Sequence, residues 1–171
     1  MKKSQRKPNR LTQYNYNRNG AYFITICIQN KRCILSKIIK NNISTQNKLT
    51  TYGKIVDDII NIVPSRFNAR IINYIIMPNH IHLLIFVNNP INPDWTIREL
   101  SLQQHSIISN IVGYIKMNST KKIHTINPNE KIWQRSFHNH IIRNEKQYQK
   151  IWSYIEGNPF NWTDDCFYTK I

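Results

Sequence analysis

Residues 73–87 read NYIIMPNHIHLLIFV, two apolar runs on either side of Pro78-Asn79. A Pro-Asn pair favours a turn, so the stretch predicts strand, tight connection, strand. Side chains alternate along a strand, which sets His80, His82, Leu84 and Phe86 on one face and Ile81, Leu83 and Ile85 on the other. Imidazoles two residues apart on a strand lie about 6.5–7 Å from each other at Cα and can converge on one cation. For an isolated His-x-His, a hydrogen-bonded pair is the commoner outcome. In so apolar a run, two titratable rings are costly to bury without a task. The pair is therefore a candidate for two ligands of a metal site, and the rest of the chain must supply a third.

Around this stretch the charge is one-sided. The chain has 171 residues and a formal net charge of +15, from 24 Lys+Arg against 9 Asp+Glu. No acidic residue precedes Asp57, whereas residues 1–56 carry twelve Lys and Arg. Such a surface suits a polyanion, nucleic acid first and an anionic membrane surface a distant second. Cys27, Cys33 and Cys166 are odd in number and lack C-x-x-C spacing, which fits reduced thiols in a cytoplasmic protein. No signal peptide or membrane span is evident, because the basic start is not followed by an apolar stretch.

The length suits one domain with a real core. Residues 1–20 read as a basic, flexible arm, and 21–171 as a single domain. Residues 21–29 (AYFITICIQ) predict the first strand, followed by an irregular basic connection to residue 48 with at most a short strand at 33–38. Ile55, Ile59, Ile60, Ile62 and Val63 recur at helical spacing from about residue 50 and stop before Pro64. The central strand pair spans 69–77 and 80–87. Residues 88–94 form a Pro/Asn loop, and Thr96-Ile97-Arg98-Glu99 has capping-box form. Ile107, Ile108, Ile111, Val112 and Ile115 predict an amphipathic helix to about Asn118. Residues 136–143 (SFHNHIIR) predict a strand, and Asn144 caps a last helix that Gly157 and Pro159 end. The order β, α, β, β, α, β, α predicts an α+β domain of the split-βαβ kind, an antiparallel sheet with helices packed on one face.

On the last helix Tyr148, Ile151, Trp152 and Ile155 fall at i, i+3, i+4 and i+7 and predict its buried stripe. Tyr154 falls roughly 110° from the centre of that stripe, at its edge. Asn158, four residues on, shares the Tyr154 side if the helix persists that far. A phenol and an amide oxygen then point the same way, and an amide oxygen can serve as a hard ligand.

MPNHIHLLI, followed by WQRSFHNHIIRN and YIEGNP, resembles the HUH-motif single-tyrosine transposases, nearest to the REP-associated tyrosine transposases. NRLTQYNYNRNGAYFITICIQN is similar to the same branch, so the resemblance spans roughly residues 10–162. It implies a ferredoxin-like (RRM-like) domain that cuts and rejoins single-stranded DNA near hairpins. It also implies that His80 and His82 hold a divalent ion, Mg²⁺ or Mn²⁺, with Asn158 as third ligand where insertion-sequence relatives carry Gln. Tyr154 would be the nucleophile, leaving a 5′-phosphotyrosine and a free 3′-OH. Gly157 beside Asn158 is a departure that would fray the helix and loosen that ligand.

Arg10, Lys116, Arg135 and Arg143 are candidate phosphate contacts, each equally an ordinary surface cation. His138-Asn139-His140 reads first as structural, with His140 a candidate to orient DNA. Two rival functions stay open: a non-catalytic RRM-like nucleic-acid binder, and a metal-dependent phosphodiesterase using activated water. The partner in the leading reading is single-stranded or hairpin DNA, bound by a monomer or a homodimer.

Overall fold

β-Branched and aromatic residues dominate 20–28 and 69–87, and these segments form three strands of a four-stranded antiparallel sheet. The computed structural model describes residues 19–41, 43–88 and 106–169. Its strands are β1 (Gly20–Cys27), β2 (Ser36–Lys40), β3 (Thr45–Leu49), β4 (Ala69–Ile76), β5 (His80–Val87) and β6 (His138–Ile142). Its α-helices are α1 (Thr51–Arg66), α2 (Ile107–His124) and α3 (Glu145–Gly157). The sheet runs β4-β5-β1-β6, the strand order of a ferredoxin-like fold, and β2 and β3 form a separate two-stranded sheet. The 1–20 arm, including Arg10, and the capping box at Thr96 fall outside the described residues except for Asn19 and Gly20.

Register decides which chemistry each face carries. β1 pairs with β5 so that Ile24 meets Leu83, Ile26 meets Ile81 and Thr25 meets His82. Tyr22, Ile24, Ile26, Ile81, Leu83 and Ile85 are fully buried on one face. Val56, Ile59, Ile60 and Val63 of α1 and Ile108, Ile111, Val112 and Ile115 of α2 complete that core. Helix α1 approaches so closely that a Cβ at Gly53 would lie 2.0 Å from the Leu35 carbonyl oxygen, so only glycine fits its first turn. The Thr50 hydroxyl caps the helix, accepting from Gly53 N at 3.1 Å. Helix α3 lies across the opposite face of the sheet.

Several boundaries depart from the sequence reading for local reasons. Helix α1 continues through Pro64, whose missing donor falls in the last turn, where Phe67 N still bonds Val63 O at 3.1 Å. Helix α2 runs past Asn118 to His124, because Ser119 holds a core position between Ile115 and Ile123. The Ser119 hydroxyl donates to Ile115 O at 2.6 Å and accepts from Trp133 Nε1 at 3.0 Å, so a polar residue continues an apolar stripe. The connection before α1 holds a hairpin, β2–β3, rather than one short strand; Asn47 Nδ2 ties it to Ile76 O at 2.8 Å. On α3 only Ile155 of the expected stripe is fully buried; Tyr148, Ile151 and Trp152 are partly covered.

Candidate metal and nucleophile site

The β4–β5 turn is buried, which is unusual for a hairpin tip. Met77, Pro78 and Asn79 are all enclosed. Their backbone stays satisfied: Met77 N bonds His80 O at 2.9 Å, Ile28 N bonds Asn79 O at 2.8 Å and Leu35 N bonds Pro78 O at 3.0 Å. His80 and His82 follow at 0% and 1% exposure, on the face away from the two-helix core.

Hydrogen bonding fixes one ring outright. Asn79 Nδ2 donates to Lys31 O, Phe167 O and Thr169 Oγ1 at 3.2, 2.8 and 2.9 Å, so its Oδ1 must be the atom facing His80 Nδ1 at 2.9 Å. That oxygen only accepts. His80 therefore carries its proton on Nδ1 and presents a bare Nε2. His82 Nδ1 lies 2.9 Å from Thr25 Oγ1, a hydroxyl able to donate or accept, so His82 can adopt either tautomer. The two Nε2 atoms face each other at 2.9 Å. Burial pulls His80 down to about 3 and His82 well below the ordinary imidazole range, so both rings are neutral at neutral pH. Two facing lone pairs at this distance need a proton or a cation to bridge them.

Helix α3 brings Tyr154 over this pair. Its hydroxyl lies 3.2 Å from His82 Nε2, and its ring packs edge-on to Phe23 at 6.0 Å between centroids. Tyr154 is 40% exposed, open to a large substrate. Asn158 keeps helical φ/ψ of −58° and −41° and is 2% exposed, so Gly157 does not fray the chain there. Its Nδ2 donates to Asp165 Oδ2 at 3.0 Å, while its Oδ1 is buried with no hydrogen-bond partner.

Asp165 is the residue the sequence reading missed. It follows a 3₁₀ turn at Trp162–Asp164, and its Oδ2 also accepts from Tyr154 Oη at 3.0 Å. The ligand atoms of His80, His82 and Asp165 all lie within 4.8 Å of one another. Two nitrogens about 2.1 Å from a shared ion and about a right angle apart would stand near the observed 2.9 Å. Two imidazoles, a carboxylate and an orphaned amide oxygen therefore fit a divalent first-row ion or Mg²⁺. Burial first, and then the Asp165 carboxylate, hold the Tyr154 phenol well above its ordinary pKa. A cation offsetting that carboxylate would relieve the second cause.

No family model matches the chain. An uncharacterized protein of Haemophilus influenzae is 35% identical over 171 residues, covering 95% of this chain and 93% of its own length. A solved REP-associated tyrosine transposase, bound to a REP hairpin, superposes with a TM-score of 0.61 over 95% of this chain and 74% of that one, at 22% identity. The chain belongs to the Haemophilus protein's family and is REP-associated tyrosine transposase-like in fold. In this transposase-like fold the α+β expectation stands; Tyr154 lies against His82 of the histidine pair, and Asn158 is joined to Tyr154 through the Asp165 carboxylate.

The remaining candidates of the transposase-like chain scatter. Half-buried Lys116 donates Nζ to the carbonyls of Gln134, Arg135 and Ser136 at 2.7, 3.3 and 3.0 Å, and burial lowers it to about 8. Arg135 and Arg143 are exposed. His140 is exposed and pairs with Phe23, which puts it on the Tyr154 face of the sheet. His138 shares that face, its ring 6.3 Å from Phe167. Among the described residues no helix is long and apolar enough to cross a membrane.

Proposed function

We propose that the chain nicks and rejoins single-stranded DNA at or near hairpins, with Tyr154 as nucleophile. The observation that carries this reading is a half-exposed phenol 3.2 Å from His82 Nε2 and 3.0 Å from Asp165 Oδ2, within one cluster of candidate ligands. In the step, the Tyr154 Oη–P bond forms as the P–O3′ bond breaks. Asp165 takes the phenol proton, and the 3′ oxygen leaves as a hydroxyl after gaining a proton from water. The phosphodiester energy is kept in a 5′-phosphotyrosine, so a returning 3′-OH can rejoin the strand without a nucleotide cofactor. His80, His82 and Asp165 would hold Mg²⁺ or Mn²⁺, with Asn158 Oδ1 a fourth donor. Such an ion, when bound, neutralises charge on the scissile phosphate.

The solved neighbour is bound to a REP hairpin, and the basic N-terminal half of this chain suits the same class of ligand. The test is incubation of the protein with an end-labelled hairpin oligonucleotide and Mg²⁺ or Mn²⁺, followed by a denaturing gel. A covalent adduct should form, vanish in Tyr154→Phe and persist in Tyr148→Phe. Binding without any adduct would leave the non-catalytic reading, and an adduct surviving Tyr154→Phe would move the nucleophile elsewhere.

A further inference from the structure

Pro78 of the β4–β5 turn and Trp162 border a cavity of about 740 Å³. Trp162 lines it, with its ring 6.0 Å from that of His80. Lys31, Cys33, Ser36, Lys37, Ile38 and Trp162 are among the residues that line it. A volume of about 300–1,000 Å³ is the range of small-ligand sites. Pro78, Ile38 and buried Trp162 give it apolar walls, while Lys31 and Lys37 are exposed cations. Arg32 also lines it, but its guanidinium is held by Glu130 and the Lys131 carbonyl and forms a fixed wall. None of the lining residues is acidic.

One polar group in this cavity has nothing to bond. Ser36 is 1% exposed, and its hydroxyl has no hydrogen-bond partner. A buried hydroxyl is normally satisfied; this one is sealed from solvent within the cavity's wall. The position is tied to the Tyr154 site, because Asn79 bonds both His80 and the carbonyl of Lys31.

We infer that this cavity takes one nucleotide of the strand on which Tyr154 acts. The base enters between Ile38, Pro78 and Trp162, over Ser36, and its phosphate rests between Lys31 and Lys37. This rests on the reading of the Tyr154 site as one that handles DNA.

Titration with a 2′-deoxynucleoside 5′-monophosphate, followed by ¹H–¹⁵N NMR, should shift the amides of Cys33, Ser36 and Ile38 and the Trp162 indole saturably. The nucleoside alone and inorganic phosphate alone should shift them less. With a single-stranded oligonucleotide, Cys33→Trp fills the cavity and should weaken binding about tenfold. Exposed Lys37→Glu should instead flatten the log–log salt dependence by about 0.7. Unmoved amides, full reproduction of the shifts by inorganic phosphate, or wild-type binding and salt slope in both variants would each overturn the inference. Adduct formation is read separately. A wild-type Tyr154 adduct without the NMR shifts sinks the cavity and leaves the transposase-like reading; shifts without an adduct do the reverse.

Discussion

The two faces of the central sheet use the same strands for opposite ends. Under α1 and α2, β1 and β5 present Tyr22, Ile24, Ile26, Ile81, Leu83 and Ile85, mostly aliphatic and sealed from water. One residue out of phase, the same strands present Thr25, His80 and His82 to α3 and the C-terminal segment. That second face is almost as dry at the histidines, yet its contacts are polar: Thr25 to His82, Asn79 to His80, Asp165 to Tyr154 and Asn158. Period-two alternation thus lets a single pair of strands hold a rigid core and a reactive cluster a strand's thickness apart. Dense packing on one side fixes the positions of the groups on the other.

The sharpest way to break this division is to damage each face in turn. Leu83→Ala removes a fully buried side chain from the core face and should cost about 2–5 kcal/mol of stability, read from denaturant unfolding. His82→Leu, its neighbour on the other face, should leave stability near wild type or raise it, because it replaces a desolvated polar ring with an apolar one. It should also abolish the Tyr154 adduct. Equal destabilisation by both variants would mean that the site face carries the fold as much as the core does.

Acid should separate the faces next. His80 is held at about 3 against an ordinary 6.5, so between those values the unfolded chain binds a proton that the folded chain refuses. Stability is full above about pH 6.5 and falls as pH drops through this window, by on the order of 3 kcal/mol at about pH 4. His82 is shifted in the same direction. In His80→Leu the acid limb of the unfolding curve should flatten, whereas Leu83→Ala should lower the whole curve without changing its slope. A wild-type curve flat between pH 4 and 6.5 would mean the rings are not held neutral.

Metal should stabilise only through the polar face. Mn²⁺ at a hundred times its dissociation constant should add about 2.7 kcal/mol to wild-type stability, seen as a rise in Tm that EDTA reverses. Asp165→Asn should lose most of that rise. It should also let the Tyr154 phenol titrate lower than in wild type, since the carboxylate is one of the causes holding it up, which ¹³C-tyrosine NMR would read. If the Mn²⁺ effect survives Asp165→Asn but not Asn158→Ala, the amide is the third ligand instead.

How much of this was legible in the sequence follows the same division. The core face announced itself through apolar periodicity, so β1, β4, β5 and α1 came within a few residues of their bounds. The reading failed where a polar residue stood in for an apolar one, as Ser119 does in α2, or where a strand pair had no apolar face, as in β2–β3. At the site, strand spacing set His80 beside His82 and helix spacing set Tyr154 and Asn158 on one side, while the roles expected of them came from the resemblance. Asp165 was not, since no periodicity links a residue after a 3₁₀ turn to a strand 83 positions earlier. A weak signal existed: in a chain with 9 acidic residues, Asp164-Asp165 falls just beyond the helix that carries Tyr154.

Asn79 gives the finest test, because its side-chain hydrogen bonds reach His80, Lys31, Phe167 and Thr169 and no residue of the aliphatic core. It holds the His80 proton on Nδ1 from a side chain itself pinned by Lys31, Phe167 and Thr169. Asn79→Ala should therefore lower Mn²⁺ affinity by about 10–100-fold, on the order of 1.4–2.7 kcal/mol, as loss of a ligand's orienting partner does. Long-range ¹H–¹⁵N NMR distinguishes this from general loosening. The wild-type His80 should show a protonated Nδ1 and a bare Nε2, and the variant a mixture of tautomers. Thr25→Val, beside a ring that can adopt either form, should disturb His82 and leave the His80 spectrum alone. A single unchanged His80 tautomer in Asn79→Ala would show that the ring is oriented by its packing against Phe167, at 4.7 Å, and not by the amide.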